Sequence, residues 1–378
     1  MSDEQRRVAI DVSAIPADPR GAGRYVVELV AALHRRNRTA LRLVARRGDH
    51  SRWEQLAPSA TVDAIVPASR AARLVWEQTA ASSRVRRWPI EVYHGPHYTM
   101  PSRLSVPRVV TVHDLTFFDH PEWHERSKVS FFRRAIRHAA ADADTVICVS
   151  DATRRRLVEL LDPVAPTVVV PHGIDHDRFT PNAEPGDANV LDRLGASRPY
   201  LLFLGTMEPR KNVAGLVAAF DLLADDHPDM GLVLAGGRGW GEERLHAAVA
   251  GSRAKERIVQ TGYVADDDVP VMLRHAAAVV YPAFVEGFGL PALEALACGT
   301  PVVTTSGSVM EELAGGAAFT SDASDASAMA AVIRHVLDGG LAVDEARALG
   351  LEVASRFTWD NTAALHEQVY AEAAQRRL

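Results

Sequence analysis

Cysteine is almost missing. The 378 residues hold two, Cys148 and Cys298, each inside an apolar run. That excludes a disulfide framework and leaves two small buried hydrophobes. Lysine is nearly as scarce: among 42 basic residues only Lys128, Lys211 and Lys255 are lysine. There is no basic surplus either, since 48 acidic residues outnumber the 42 basic ones and the net charge is −6. Such a chain has no cationic excess to neutralise a nucleic-acid backbone. Runs of about 18 apolar residues are also absent, so no segment is expected to span a membrane. The opening MSDEQRR has no apolar stretch behind it, and no signal peptide is expected there. These absences leave a cytoplasmic protein, free or peripheral at the inner face of the membrane, as the expectation.

What is present is alternation. Short β-branched runs fall at Val8–Val12, Leu41–Ala45, Val109–Val112, Thr145–Val149 and Thr167–Val170. Helix-like stretches lie between them, at Arg24–Arg36, Glu125–Ala141 and Ala152–Leu160. A polar stretch rich in Pro, Gly, Asn and Asp, Pro171–Pro199, interrupts the pattern. It restarts with strands at Tyr200–Leu204, Gly231–Ala235, Arg257–Gln260, Ala278–Tyr281 and Pro301–Thr304. Alternation of this kind predicts parallel sheets covered on both faces. Length and hydrophobic content suit two such domains. The reading is α/β: two doubly wound Rossmann-like domains spanning 1–178 and 190–356, with 357–378 as a last helix.

Ligands of such sheets bind beyond the carboxyl ends of the strands. The loops there carry the candidate site. "GAGRY", Gly21–Tyr25, opens a helix, and its glycines, Gly23 among them, let an anion approach free backbone N–H groups; a plain flexible connection is the alternative. It is not a dinucleotide fingerprint, because Val26 stands where a third glycine belongs. "GTMEPRKN", Gly205–Asn212, follows a strand and sets Arg210 and Lys211 before a helix. An Arg fork beside a Lys point charge suits a diphosphate, unless the pair is merely solvated. "AFVEGFGLPALEALACGTPVV", Ala283–Val303, places Glu286 on a loop and Glu294 about one turn into the next helix. Free N–H groups near Phe288–Leu290 favour an anion. Carboxylates accept from sugar hydroxyls. Together they describe a nucleotide sugar, with Glu294 on the ribose and Glu286 on the transferred sugar.

The ordered set "GAGRY", "VHDLTFF", "VPHGID", "FLGTMEPRKN", "GYVADDDVP" and "FVEGFGLPALEALACGTPVV" resembles the retaining glycosyltransferases of family GT4. It spans almost the whole chain. The resemblance implies the GT-B fold, with the two domains facing a cleft and the tail "FTWDNTAALHEQVYAEA" crossing back to the N-terminal domain. It implies Gly205, Thr206, Gly287, Phe288, Gly289, Leu290 and Glu294 as donor contacts. It implies His113, Arg210, Lys211 and Glu286 as catalytic groups. Many members carry Arg directly after the phosphate-loop glycine; here that place is Thr206. The "GTMEPRKN" form is similar to a mannosyltransferase subgroup, which points to GDP-mannose as donor and a glycan or lipid-linked acceptor. A UDP-sugar donor is the first alternative. A nucleotide-sugar epimerase and a non-catalytic sugar-nucleotide binder come after it. The nucleotide sugar is a substrate, and no cofactor or metal is expected. Asp142–Asp144 and Asp175–Asp177 have a D-x-D form but lie on no phosphate loop.

One stretch stands apart. In "ERSKVSFFRRAIRHAA", Glu125–Ala140, helical spacing sets Arg126, Arg133 and Arg137 on one side with Arg134 adjacent, opposite Val129, Phe132 and Ile136. A basic amphipathic helix can lie on an anionic bilayer, and it can equally pack one face on its own sheet.

Overall fold

The computed structural model describes residues 5–196 and 199–376. The first four residues of the segment read for a signal peptide lie outside them, as do Ser197 and Arg198 of the polar stretch. Contacts divide the chain into two units, Met1–Gly173 with Trp359–Leu378, and Ile174–Thr358.

The first unit is built on seven parallel strands: β1 (Arg6–Asp11), β2 (Thr39–Arg46), β3 (Thr61–Val66), β4 (Val92–Gly95), β5 (Arg108–Val112), β6 (Thr145–Cys148) and β7 (Thr167–Val169). Their order is β3-β2-β1-β4-β5-β6-β7. The order reverses direction between β1 and β4, the doubly wound switch point where ligands collect. Two of these strands are not readable as apolar runs. β3 is an edge strand, only partly buried, so alternation decays there. β4, sequence VYHG, is too short and too polar to read as an apolar run. All four of its residues are nevertheless buried. Its polar groups are satisfied internally: Tyr93 donates to Asp11 Oδ2 at 2.9 Å, and His94 bonds Tyr370 and Thr111.

The second unit has six parallel strands: β8 (Tyr200–Leu204), β9 (Gly231–Ala235), β10 (Ile258–Gly262), β11 (Ala278–Tyr281), β12 (Val302–Thr305) and β13 (Ala318–Ser321). They run β10-β9-β8-β11-β12-β13, again reversing at the middle. Ile174 and Thr358 bridge in parallel, so the chain enters and leaves this unit side by side. Cys148 and Cys298 are free and buried, and burial pushes both thiols up to about 12.

The last helix, Trp359–Gln375, belongs to the first unit. It packs on helix Ala22–Arg36, adding Trp359, Val369 and Tyr370 to a core with Tyr25, Leu29 and Leu33. A chain of buried hydrogen bonds fastens it. His366 Nδ1 faces the Thr362 carbonyl at 2.8 Å, an acceptor only, so this nitrogen carries the proton. His366 Nε2 then accepts from the Tyr25 hydroxyl at 2.8 Å. Tyr25 accepts in turn from Thr111 at 3.0 Å, Thr111 from His94 Nε2 at 2.8 Å, and His94 Nδ1 from Tyr370 at 2.8 Å. Every link has one donor and one acceptor only while both imidazoles are neutral. Burial holds them so: it lowers His366 to about 4 and His94 well below the usual histidine value.

Both histidines therefore bind protons more readily in the unfolded chain. Their contribution is complete above about pH 6.5 and is lost as pH falls toward the folded values, at about 1.4 kcal/mol per histidine per pH unit. Glu77 runs the other way, because burial raises it to about 7 and favours its protonated, folded form as pH drops. The histidines outnumber it, so the urea midpoint is expected to fall between pH 7 and pH 5. Tyr25→Phe leaves two buried groups unpaired and Tyr370→Phe one, at roughly 1–3 kcal/mol each. Urea titrations should rank Tyr25→Phe below Tyr370→Phe, and equal stabilities would refute the directional chain.

Candidate active site

In the second unit, the carboxyl ends of β8, β9 and β11 supply the loops. β8 delivers Gly205, whose N–H donates to the Ala235 carbonyl at 2.9 Å. Gly236 follows β9 with φ at 139°, and a Cβ there would stand 2.0 Å from the Gly205 carbonyl oxygen. Only glycine allows the two backbones this approach. After Thr206, Met207 bridges Arg238 and steers the chain into a short 3₁₀ turn, Pro209–Lys211. Asn212 ends that turn at φ 52°, donates to the Ala323 carbonyl at 2.6 Å, and starts helix Val213–Leu223.

This turn presents the basic pair. Arg210 Nη1 donates to Glu286 Oε1 at 2.7 Å, and its Nε to Glu208 Oε2 at 2.7 Å. Lys211, only 5% exposed, donates to Glu286 Oε1 and to the Tyr281 hydroxyl. Its ammonium also lies 4.7 Å from the Tyr281 ring centroid. The backbone ties the two loops as well, with Phe284 N–H donating to the Arg210 carbonyl at 2.9 Å. Arg210, Lys211 and Glu286, far apart in sequence, thus form one cluster with Tyr281. Burial raises the Tyr281 hydroxyl above its ordinary value, so it remains a proton donor.

Gly287 and Phe288 lead from Glu286 to helix Leu290–Ala297, capped by Gly289 at φ 93°. A Cβ on Gly289 would meet Met310 Cγ at 2.4 Å, so this corner too demands glycine. The N–H groups at Phe288–Leu290 gather at a helix start, which favours an anion. Glu294 is only 3% exposed, well inside that helix. The two glutamates therefore differ: Glu286 is clamped by cations on a loop, and Glu294 is buried in the helix.

His113 and Gly23 belong to the first unit. His113 follows β5, is buried, and donates from Nε2 to the Pro96 carbonyl at 2.8 Å. Tyr25 packs edge-on against its ring at 5.1 Å, and burial lowers its pKa. Its neighbour Asp114 accepts from Thr116 N–H at 3.1 Å, which closes a local turn. Gly23 lies in the first turn of helix Ala22–Arg36 and is buried. The D-x-D residues are engaged locally: Asp144 accepts from Arg108 N–H at 2.8 Å, Asp142 pairs with His138 at 2.9 Å, and Asp175 accepts from Asp177 N–H at 3.1 Å. Sequence reasoning did not single out Tyr281 and Glu208. Glu208 stands inside "GTMEPRKN", and Tyr281 is a hydroxyl-bearing aromatic at a strand end, next to the loop it serves.

Two doubly wound parallel sheets, of seven and six strands, are those of the GT-B glycosyltransferase fold. The chain belongs to the GT4 family and is a glycosyltransferase. The model of Glycosyl transferases group 1 matches residues 193–351, and that of Glycosyltransferase Family 4 matches residues 19–178. An O-antigen chain mannosyltransferase B from Escherichia coli is 35% identical over 272 residues, 71% of each chain. A GDP-mannose-dependent alpha-(1-6)-phosphatidylinositol monomannoside mannosyltransferase from Mycolicibacterium smegmatis is 33% identical over 236 residues, 59% of each chain. Among solved structures, HepE from Anabaena in complex with UDP and glucose superposes with a TM-score of 0.75 at 19% identity, covering 97% of this chain and 100% of its own. That likeness is one of fold.

The cluster sets the cost of each substitution. Lys211→Ala should lower turnover by on the order of 10²–10³, the loss usual for a charge-stabilising donor. Glu286→Ala should lose activity and also stability, roughly 3–5 kcal/mol, because it strands a buried ammonium. Glu286→Gln keeps the shape and an acceptor oxygen and should retain more of that stability. Turnover and urea midpoints measured together check this; a Glu286→Ala protein as stable as the parent would contradict the clamp.

Proposed function

We propose that the protein transfers mannose from GDP-mannose to a glycan or lipid-linked acceptor, with retention of anomeric configuration. The observation carrying this reading is the clustering of Arg210 and Lys211 on Glu286 beside the helix start at Gly289. In the transfer, the bond from anomeric carbon to diphosphate oxygen breaks while the acceptor oxygen bonds to that carbon. The acceptor proton passes to the departing diphosphate. Negative charge grows on the diphosphate, and Arg210 and Lys211 offset it, which is the electrostatic part of the catalysis. Glu286 holds the two cations at fixed positions and accepts a hydroxyl of the transferred sugar. Glu294 serves the ribose, and Gly205, Thr206 and the N–H groups from Gly287 to Leu290 serve the phosphates. His113, in the first unit, offers an acceptor for a sugar hydroxyl, and Gly23 opens a helix start to an anion. The mannosyl donor is supported by the "GTMEPRKN" form and by the two mannosyltransferase relatives.

The basic pair supplies the charge that a divalent ion would supply, so activity is expected to persist in EDTA. Thermal shift across nucleotide sugars should favour GDP and GDP-mannose. A shift with UDP or UDP-glucose alone reverses the donor. Loss of activity on chelation, restored by magnesium or manganese, refutes metal independence.

A cytoplasmic location with reversible contact to the inner membrane face goes with a lipid-linked acceptor. Arg126, Arg134 and Arg137 are exposed on helix Arg126–Asp142, while Val129, Phe132 and Ile136 are buried. Arg133 is partly used: it donates to the Phe117 carbonyl at 2.7 Å and the Phe118 carbonyl at 3.2 Å. Each exposed arginine is worth about 1 kcal/mol near an anionic bilayer. No single helix among the described residues is long and apolar enough to cross one. Anionic liposomes at low salt should co-float the protein, and changing Arg126, Arg134 and Arg137 to Ser should abolish this. Flotation indifferent to the triple change refutes the contact.

A further inference from the structure

The first unit holds a cavity that the chemistry above does not use. Its volume is about 310 Å³, at the lower end of the range of small-molecule sites, roughly 300–1,000 Å³. Residues just beyond the strand ends form it, Ser13 after β1 and Thr99 after β4 among them. Four cations line it: Arg46, Arg70, Arg73 and Lys128.

Their placement runs against local helix electrostatics. Arg70 and Arg73 occupy the first turn of helix Arg70–Val85, which has no acidic residue there. Lys128 sits in the first turn of helix Arg126–Asp142, which has none either. Cations at a helix N-terminus oppose the macrodipole, and most helices place acidic groups there. Two helices therefore bring misplaced charge to one cavity. Lys128 is also one of only three lysines in the chain.

Intramolecular pairing cancels only part of this charge. Arg46 pairs with Asp49 at 3.0 Å, Lys128 with Glu125 at 2.8 Å, and Arg73 stands 3.6 Å from Glu77. Arg70 makes no hydrogen bond or ion pair among the described residues. Glu77 is buried, accepts from Thr99 at 2.8 Å, and burial raises it to about 7, so it offsets Arg73 only in part. Phe131 and Phe132 supply an apolar wall suited to the C–H face of a sugar ring. His97 completes the inner side, its ring 5.9 Å from that of His113. A carboxylate carries one charge and two oxygens. A phosphoryl group offers up to two charges and three oxygens, and better matches this many donors.

We propose that this cavity binds a phosphoryl group carried by the acceptor saccharide, beside the histidine that contacts the transferred sugar. The proposal rests on the transferase reading for the word acceptor. The site itself stands on the cavity and its cations.

The probe is mannose 6-phosphate, titrated calorimetrically into the full chain with and without saturating GDP, which occupies the donor's phosphate loop. Binding should persist with GDP present, weaken about tenfold or more in Arg70→Gln/Lys128→Gln, and be absent for mannose; tenfold corresponds to about 1.4 kcal/mol. Neither substituted residue belongs to the donor machinery, so GDP affinity should stay unchanged. Arg73 is left alone because it faces the buried Glu77. Equal affinity of parent and double variant, or equal binding of mannose, overturns the proposal. Failure of GDP to bind, with the phosphate effect retained, sinks the donor reading alone. Phosphatidylglycerol vesicles form a last arm. Binding to vesicles that depends on Arg70, with none to mannose 6-phosphate, overturns the saccharide assignment in favour of a lipid headgroup.

Discussion

One directional run of hydrogen bonds, from Tyr370 through His94, Thr111 and Tyr25 to His366 and the Thr362 carbonyl, organises the first unit. It starts and ends on the last helix and passes through β4, β5 and helix Ala22–Arg36 on the way. A helix arriving about 190 residues after its sheet was completed needs a specific lock, because apolar packing alone tolerates rotation and sliding. A buried polar chain does not tolerate them. Shift the helix by one residue and at least two buried groups lose their partners, each at a cost of order 1–3 kcal/mol. One link of the run also meets His113: Tyr25 is edge-on to it at 5.1 Å, and His172, outside the run, lies 5.9 Å away. The lock that seats the last helix is thus also the wall of the proposed sugar-contact site.

The second unit depends on a different economy of charge. Glu286 gathers Arg210 and Lys211 onto one carboxylate oxygen, with Tyr281 as a third donor at 3.3 Å. A buried ion pair is poor evidence of stability, since desolvation offsets much of its attraction. Its value here is positional. Two flexible side chains are held at the strand ends by a group that can itself exchange partners. In the proposed transfer an incoming diphosphate would compete for the same cations, and a sugar hydroxyl for the same carboxylate.

The strand–helix alternation was legible, because buried parallel strands write themselves as β-branched runs. β3 and β13 were not, being partly buried edges where one side of the strand needs no apolar pattern. β4 failed for another reason: its Tyr93 and His94 are polar groups satisfied across the fold by Asp11, Thr111 and Tyr370, partners up to 276 positions away. In the loops after β8 and β11, glycine spacing pointed to Gly205 and Gly289, and charge type pointed to Arg210, Lys211 and Glu286. The meeting of the last three was invisible, since it depends on how loops after β8 and β11 converge. Tyr281 escaped notice because an aromatic closing a buried strand reads as core.

The histidines show how far composition can mislead. A cluster of His94, His97, His113, His172 and His366 in one unit invites a metal or acid–base reading. Burial argues otherwise for most of them. His94 and His366 are fixed as neutral links, one nitrogen donating and the other accepting, and neither has a lone pair to spare. His97 is lowered to about 3 by burial, then by His113 and Arg73, so it stays neutral beside the cationic cavity. His113 differs in one respect: its Nε2 donates to the Pro96 carbonyl, which leaves Nδ1 as the acceptor of the neutral ring. A neutral imidazole so oriented can accept a hydrogen bond at Nδ1 without bringing charge with it. Burial thus sorts the histidines of the first unit by hydrogen-bond role: His94 and His366 are links of the lock, and His113 keeps Nδ1 as an acceptor.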